Sequence, residues 1–409
     1  MKEINNVIVI CDFAFTNGGS EKVAIESSIG LANRGKKVKY FCASGPIDER
    51  LKHENIEVIC LGQKAIVENK SKILGMVQGI WNKKSKKELD KLLKKHSKDD
   101  TIVHLHLWQK ALSSSVIKSI NDNGFKVIFT MHHYFMACPN GGFFNYKSNK
   151  ICDCKAMSKK CLKTNCDSRN YLYKIWRYIR LFIEQKYSRS LREIKNYIYI
   201  SELGKNALEP YLDKDSKYYY IPNPIDINKD KLVNILDNDY YVYIGRLSKE
   251  KGVSLLAEAA KELDLNIVFV GEGDCREEIE KIYPKAKITG WLDKDKVKKY
   301  IRGSKSLIFP SLWYEGMPLS VLECLSNGIP VIVSDTCAAN EVVSDGNNGY
   351  LFKNNDINDL KAKIMQTQDN TTLELLSKGA YESFWKNNYS LNAHLDNLLQ
   401  AYNNIINDK

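Results

Sequence analysis

Between Tyr314 and Cys324 the chain reads YEGMPLSVLEC, which sets Glu315 and Glu323 eight positions apart across a Gly-Met-Pro turn and the opening of an apolar helix. Pro318 suits the first position of a helix, where its missing N–H costs nothing. The amides of Met317, Leu319 and Ser320 then face out of the helix start as an anion site. A carboxylate accepts hydrogen bonds from vicinal hydroxyls, so a ligand with phosphates at its middle and a sugar at either end accounts for both glutamates. Taken alone, the pair reads equally as a helix-dipole partner and a surface residue. Upstream, YIGRLSKEKG puts Arg246 and Lys251 just beyond an apolar run and before a helical pattern. A guanidinium that grips two oxygens and a compact ammonium suit a diphosphate, although an ordinary polar loop also contains such residues.

Glycines mark two further turns. In AFTNGGSEK, Gly18 and Gly19 let backbone amides and a helix N-terminus approach a ligand closely. In VFVGEGDCR, Arg276 stands where a dinucleotide fingerprint needs Gly or Ala, so neither turn predicts NAD. His132 ends the run IFTMHH at an expected ligand edge, with His133 the alternative if the register differs by one. His104 and His106 in VHLHL share one strand face; a metal pair there lacks a third ligand, and packing is the expected role. Five of the eleven cysteines cluster: Cys138, Cys152, Cys154, Cys161 and Cys166. With no signal for export a disulfide framework is disfavoured, and a thiolate site for structural Zn²⁺ is expected. Its ligands are Cys152, Cys154, Cys161 and Cys166, with Cys138 a further candidate, and a reduced insertion without metal is the competing reading.

Positioning these residues takes an alternation of short apolar runs and helical patterns, the signature of doubly wound parallel sheets. NVIVICD, KKVKYFCAS, EVICLG, DTIVHLHL, KVIFTMH, NYIYIS and YYYIPNP form one set; YYVYIGR, NIVFVG, KAKITGWL, SLIFPS and PVIVSD form a second. At 409 residues the chain also exceeds the roughly 250–300 at which a single core stops growing. We therefore expect Rossmann-like domains over 1–224 and 225–380, facing a common cleft, with a tail at 381–409 packing back on the first. An irregular insertion over 135–170 interrupts the first domain, and segments of that length are usually functional.

No stretch approaches the roughly 20 apolar residues of a membrane span, and the N-terminus has too short an apolar part for a secretory signal, so a cytoplasmic location is expected. The net charge of +12 is mostly lysine. No nucleic-acid module accompanies it, which excludes that partner from the reading. The segment Tyr171 to Lys195 interleaves Arg and Lys with Tyr, Trp, Phe and Ile. It fits a helix on an anionic membrane surface, and equally a solvated basic face whose aromatic side is in the core.

In this order and spacing, FTNGGSEKVAIE, GRLSKEKG, VFVGEGD and EGMPLSVLE resemble the retaining GT-B glycosyltransferases of family 4 over nearly the whole chain. The resemblance implies a nucleotide-sugar donor, a UDP-sugar favoured, held in the second domain. Arg246 and Lys251 would neutralise the diphosphate, Glu323 hold the ribose hydroxyls, Glu315 touch the transferred sugar, and His132 contact donor or acceptor. It implies no cofactor for catalysis, the cations and the helix start taking the place a metal has elsewhere. The acceptor would be a glycan or lipid-linked oligosaccharide of surface polysaccharide synthesis. Trp291 in TGWLDKD is a candidate for framing the base. A nucleotide-sugar epimerase, a hydrolase and a non-catalytic binding partner of the same fold are the rivals; a need for an acceptor separates the first two, and the intact set Arg246, Lys251, Glu315 and Glu323 argues against the last.

Overall fold

A computed structural model describes residues 3–225 and 227–408. The strands are β1 (Asn6–Ile10), β2 (Lys37–Cys42), β3 (Ile56–Cys60), β4 (Thr101–Leu105), β5 (Val127–Thr130), the short β6 (Phe144–Asn145) and β7 (Lys150–Ile151), β8 (Asn196–Tyr199) and β9 (Lys217–Tyr220). They are followed by β10 (Tyr240–Ile244), β11 (Ile267–Val270), β12 (Lys287–Ile288), β13 (Ser304–Phe309), β14 (Val331–Ser334) and β15 (Gly349–Phe352). The first sheet runs β3-β2-β1-β4-β5-β8-β9 and the second β12-β11-β10-β13-β14-β15. All their pairings are parallel. Helices cover both faces of such sheets, so the strands read as unbroken apolar runs: Val7, Ile8, Val9 and Ile10 are wholly buried.

The chain divides into two compact units. One comprises 1–142, 154–224 and 389–409; the other comprises 143–153 and 225–388. The chain passes from one unit to the other near 224 and back near 388. The helix Asn370–Lys386 runs on without interruption, and its Trp385 donates to Ser326 O of the second unit.

The C-terminal helix Leu391–Asn407 does pack on the first unit. Leu395, Leu398, Tyr402 and Ile405 join Ala24, Ile25 and Leu31 in one core. Gly30 makes the approach close: a Cβ there would stand 2.5 Å from a Leu395 methyl. Arg34 closes the edge on Asp396 at 2.6 Å.

The expectation for the basic aromatic segment is corrected in its orientation. The helix Tyr171–Ile183 turns its cations inward. Lys174 has no exposed surface, Arg177 pairs with Asp167, and Arg180 lies over the rings of Trp176 and Phe135 while donating to Gln109 O. Tyr171, Leu172, Ile179 and Phe182 are the helix's exposed residues, Leu172 being 79% exposed. Burying the cations is tolerable because each finds an acceptor or an aromatic face within the fold.

Candidate active site

In the second unit, the predicted residues come together at the C-terminal ends of β10 and β13. After β10 the chain makes a 3₁₀ turn, Lys249–Lys251, and Gly252 follows in the left-handed region at φ 68°. A Cβ on Gly252 would lie 2.0 Å from Pro310 O, so only glycine lets the Arg246–Lys251 loop close against the end of β13. Leu312 N donates to Glu250 O at 2.9 Å across the two loops. The consequence is direct: Lys251 Nζ meets Glu315 Oε2 at 2.5 Å, and the ammonium sits over the rings of Phe309 and Trp313.

Glu315 Oε2 also accepts from Trp313 Nε1 at 2.6 Å and from Ser311 Oγ at 3.3 Å. Three donors on one oxygen fix the carboxylate. Arg246 is held by the largely buried Glu250 at 2.5 Å, which Ser248 steadies at 2.8 Å. The helix Leu319–Ser326 begins directly after Pro318, which serves as its N-cap with ψ 124° rather than as its first helical residue. Met317, Leu319 and Ser320 therefore sit at or beside the helix start, and Glu323 lies half-buried in the second turn.

Gly271 and Gly273 have a structural role beside this site. A Cβ on Gly271 would meet Gly245 O at 1.9 Å, and one on Gly273 would meet Leu247 O at 2.2 Å, so the loops after β10 and β11 lie backbone against backbone. Trp291 is 81% exposed and stands apart from these contacts.

In the first unit the candidate residues collect at the ends of β1, β4 and β5. Gly18 caps the helix Gly19–Asn33 with extended backbone at φ 179° and no side-chain cap. His132 Nε2 shares a proton with His106 Nδ1 at 3.1 Å. His104 lies against His106 with ring centres 4.0 Å apart and planes tilted by 36°, and bridges Tyr402 Oη, at 2.6 Å, and Thr130 Oγ1, at 2.7 Å. Burial pushes all four imidazoles down, His132 and His133 to about 3, so they are neutral. His104 and His106 form a strand-face pair packed into a polar network.

Asp12 went unnoticed in the sequence. It lies two residues beyond β1, has no exposed surface, and accepts from the backbone N–H of Lys110, Ala111 and Leu112 at 2.8–2.9 Å. Burial raises its carboxyl above the usual range and these three amides oppose the rise. An acid at the end of an all-apolar strand was the signal that could have found it. Trp313 was missed as well, because a tryptophan in an apolar loop reads as packing.

Of the cysteines, Cys138, Cys154, Cys161 and Cys166 are buried in the first unit and Cys152 is half-exposed. Among the described residues the ligand atoms of Cys152, Asp153 and Cys154 lie within 4.8 Å of one another, and Lys174 Nζ donates to Cys161 Sγ at 3.3 Å.

Two parallel-sheet units of this order, with a C-terminal helix, define the GT-B fold. Sucrose-phosphate synthase of Thermosynechococcus elongatus shares the fold with a TM-score of 0.74 at 17% identity, covering 99% of this chain and 100% of that one. Residues 17–229, more than half of the chain, match Glycosyltransferase Family 4, and residues 224–382 match Glycosyl transferases group 1. The chain belongs to Glycosyltransferase Family 4. An uncharacterized glycosyltransferase of Methanocaldococcus jannaschii is 30% identical over 43% of this chain and 50% of its own length. A UDP-Gal:alpha-D-GlcNAc-diphosphoundecaprenol alpha-1,3-galactosyltransferase of Escherichia coli is 27% identical over 49% and 57%. The chain thus spans about half the length of these curated relatives.

Proposed function

We propose that the chain transfers a sugar, with its anomeric configuration kept, from a UDP-sugar to a glycan or lipid-linked oligosaccharide in surface polysaccharide synthesis. The Lys251–Glu315 pair carries the donor half of this reading. It joins a cation suited to a diphosphate and a carboxylate suited to a sugar hydroxyl in one rigid contact beside a helix start. In the reaction the acceptor oxygen bonds to the anomeric carbon on the face from which the diphosphate departs. The bond from that carbon to the phosphate oxygen breaks, and a phosphate oxygen takes the acceptor's proton. Arg246 and Lys251 stabilise the charge left on the diphosphate, Glu323 holds the ribose, and His132 contacts donor or acceptor as a neutral imidazole. The Escherichia coli relative, named for UDP-Gal and a diphosphoundecaprenol acceptor, supports both the nucleotide and the acceptor class. Incubation with a panel of UDP-sugars and a lipid-linked oligosaccharide extract tests the reading: a product whose anomeric NMR coupling matches the donor's is expected. Sugar release or epimerisation without acceptor would replace transfer by hydrolysis or epimerisation.

The same reading has the protein working at the inner face of the cell membrane as a peripheral protein. Its support is an inverted helix. In Lys72–Ile80, Gly75 and Gly79 face the body, where a Cβ on Gly79 would meet Trp176 at 2.8 Å, while Ile73, Leu74 and Val77 are 73%, 63% and 56% exposed. Leu172, Ile179 and Phe182 of the adjoining helix continue the ridge. Neither helix contains an acid, and Lys64, Lys70 and Lys72 flank the first. An exposed apolar ridge with a cationic rim suits an anionic bilayer.

A further inference from the structure

The sheet of the first unit has β3 as an edge strand, and the last residue of that strand is a cysteine. The register sets Cys60 directly beside Cys42, the last residue of β2. Neighbouring strands lie about 4.7–4.9 Å apart, inside the roughly 4.4–6.8 Å between Cα atoms that a disulfide spans. The two side chains also share a face of the sheet. Val38, Tyr40 and Cys42 alternate into the core that holds the helix Leu391–Asn407, and Ile56, Val58 and Cys60 pack against the same core. Cys60 Sγ stands 4.0 Å from Ala43 O, so the sulfur leans toward β2. Both cysteines are free thiols.

The two sulfurs have different surroundings. Cys42 is wholly buried, whereas Cys60 is half-buried at the open edge of the sheet, where a small reagent reaches it. Lys84 Nζ is held beside it, donating to Leu61 O at 2.7 Å. The Cys42 thiol above all, then the Gly62 amide and the Lys84 ammonium, draw the Cys60 thiol down to about 6 against its burial. Cys42 is pushed up in turn, by its contact with Cys60 and by burial. An accessible thiolate beside a protonated thiol gives one sulfur to attack and one to resolve. Cys11, the residue after β1, extends the row to a third strand, its N–H donating to Phe41 O. It is wholly buried, and burial pushes its thiol up to about 12, so the reactive pair is Cys42 and Cys60.

We propose that Cys42 and Cys60 are a redox-sensitive pair that closes to a cross-strand disulfide on meeting hydrogen peroxide. The Cys60 sulfur attacks one peroxide oxygen, the O–O bond breaks, and the departing hydroxide takes a proton and leaves as water. Cys60 is then a sulfenic acid. The Cys42 sulfur attacks Cys60 Sγ; the S–S bond forms, the S–O bond breaks, and the second hydroxide leaves as water with the proton of Cys42. Two thiols have given up two electrons and two protons, and one peroxide has become two waters. Exchange with a small thiol reopens the bond, as expected of a disulfide at an exposed edge. The bond ties together strand ends to which the loop leading to Gly18 is itself fastened, since Ala14 N donates to Ser44 O and Gln63 N to Ala43 O.

The test is independent of any transfer reaction. Reduced full-length protein is treated with hydrogen peroxide at neutral pH and read by mass spectrometry, intact and, after blocking with iodoacetamide, digested. The expected result is an intact mass lower by two hydrogen atoms and a peptide pair joined through Cys42 and Cys60, both reversed by dithiothreitol. Cys42→Ser should stop at the Cys60 sulfenic acid, trapped by dimedone, and Cys60→Ser should form no bond and leave Cys42 unoxidised. Folded wild-type protein whose Cys60 stays reduced, or passes to the sulfinic acid without a cross-link, would overturn the proposal. A link between Cys11 and Cys42 would overturn the choice of partners. If Cys42→Ser does not fold, the wild-type cross-link and its loss in Cys60→Ser decide.

Discussion

Glu315 uses one carboxylate oxygen for Lys251, Trp313 and Ser311, and in the proposed function the other, Oε1, takes a sugar hydroxyl. Trp313 is thereby a positioning residue. Trp313→Phe keeps the ring under Lys251 and removes the indole N–H; a hydrogen bond to a charged group contributes about 1.5–3 kcal/mol. We expect KM for the donor sugar to rise by about tenfold while the Kd for UDP stays unchanged, both read by titration and initial rates. Equal shifts in the two would mean the indole supports the loop and not the carboxylate. Lys251→Ala should lower kcat/KM by about 10²–10³, the usual effect of removing one group that stabilises a departing anion. The meeting of Lys251 and Glu315 was legible only through the family resemblance of GRLSKEKG and EGMPLSVLE, because either stretch alone reads equally as a polar loop or a capped helix. Asp12 and Trp313 were not, because their roles depend on partners about a hundred residues away or on a single indole proton.

The fold was legible at the level of elements because a parallel sheet buries both faces of each strand, and runs such as NVIVI and SLIF have no other stable use. What spacing could not convey was which face of a helix turns inward. Tyr171–Ile183 looked basic outside and aromatic inside, and the reverse holds, since Asp167, Gln109 O and the thiols supply acceptors that only the folded chain assembles. Likewise the glycines of Lys72–Ile80 decide its orientation, because only they allow Trp176 and Ile66 so close. The membrane prediction belongs here. Replacing Ile73, Leu74 and Val77 together by Ser should weaken co-sedimentation with anionic vesicles by tenfold or more, given about 1.5–3 kcal/mol per large apolar side chain buried. Unchanged co-sedimentation, or binding that turns out to be self-association, would remove the ridge from the account. Gly252→Ala tests the loop closure: with a Cβ 2.0 Å from Pro310 O at positive φ, it should lower thermal stability and donor affinity together.

At the scale of the whole molecule, the histidines of the first unit set a pH dependence. His104, His106, His132, His133 and His394 all have their folded values lowered by burial, the last three to about 3, 3 and 4, from an ordinary 6.5. The unfolded chain therefore binds more protons between those values and 6.5, so stability is fully present above 6.5 and falls with acidification through that window. The buried Glu184, raised to about 7, and Asp12, also raised by burial, work in the opposite sense, but they are two groups against five. Urea unfolding at pH 7.5 and 5.5 should give a lower stability at 5.5. His394→Gln, whose amide can still reach Ser27 and Pro222 O, should reduce the difference.

The proposed function turns on a donor-diphosphate site at Arg246, Lys251 and the start of the helix Leu319–Ser326. Calorimetric titration of UDP into the wild-type chain and into Lys251→Ala addresses it most directly. The account predicts saturable binding of one UDP by the wild type and an affinity at least about tenfold weaker, or about 1.4 kcal/mol, in the variant. Equal affinity in the two proteins, or no UDP binding by the folded wild type, would contradict it.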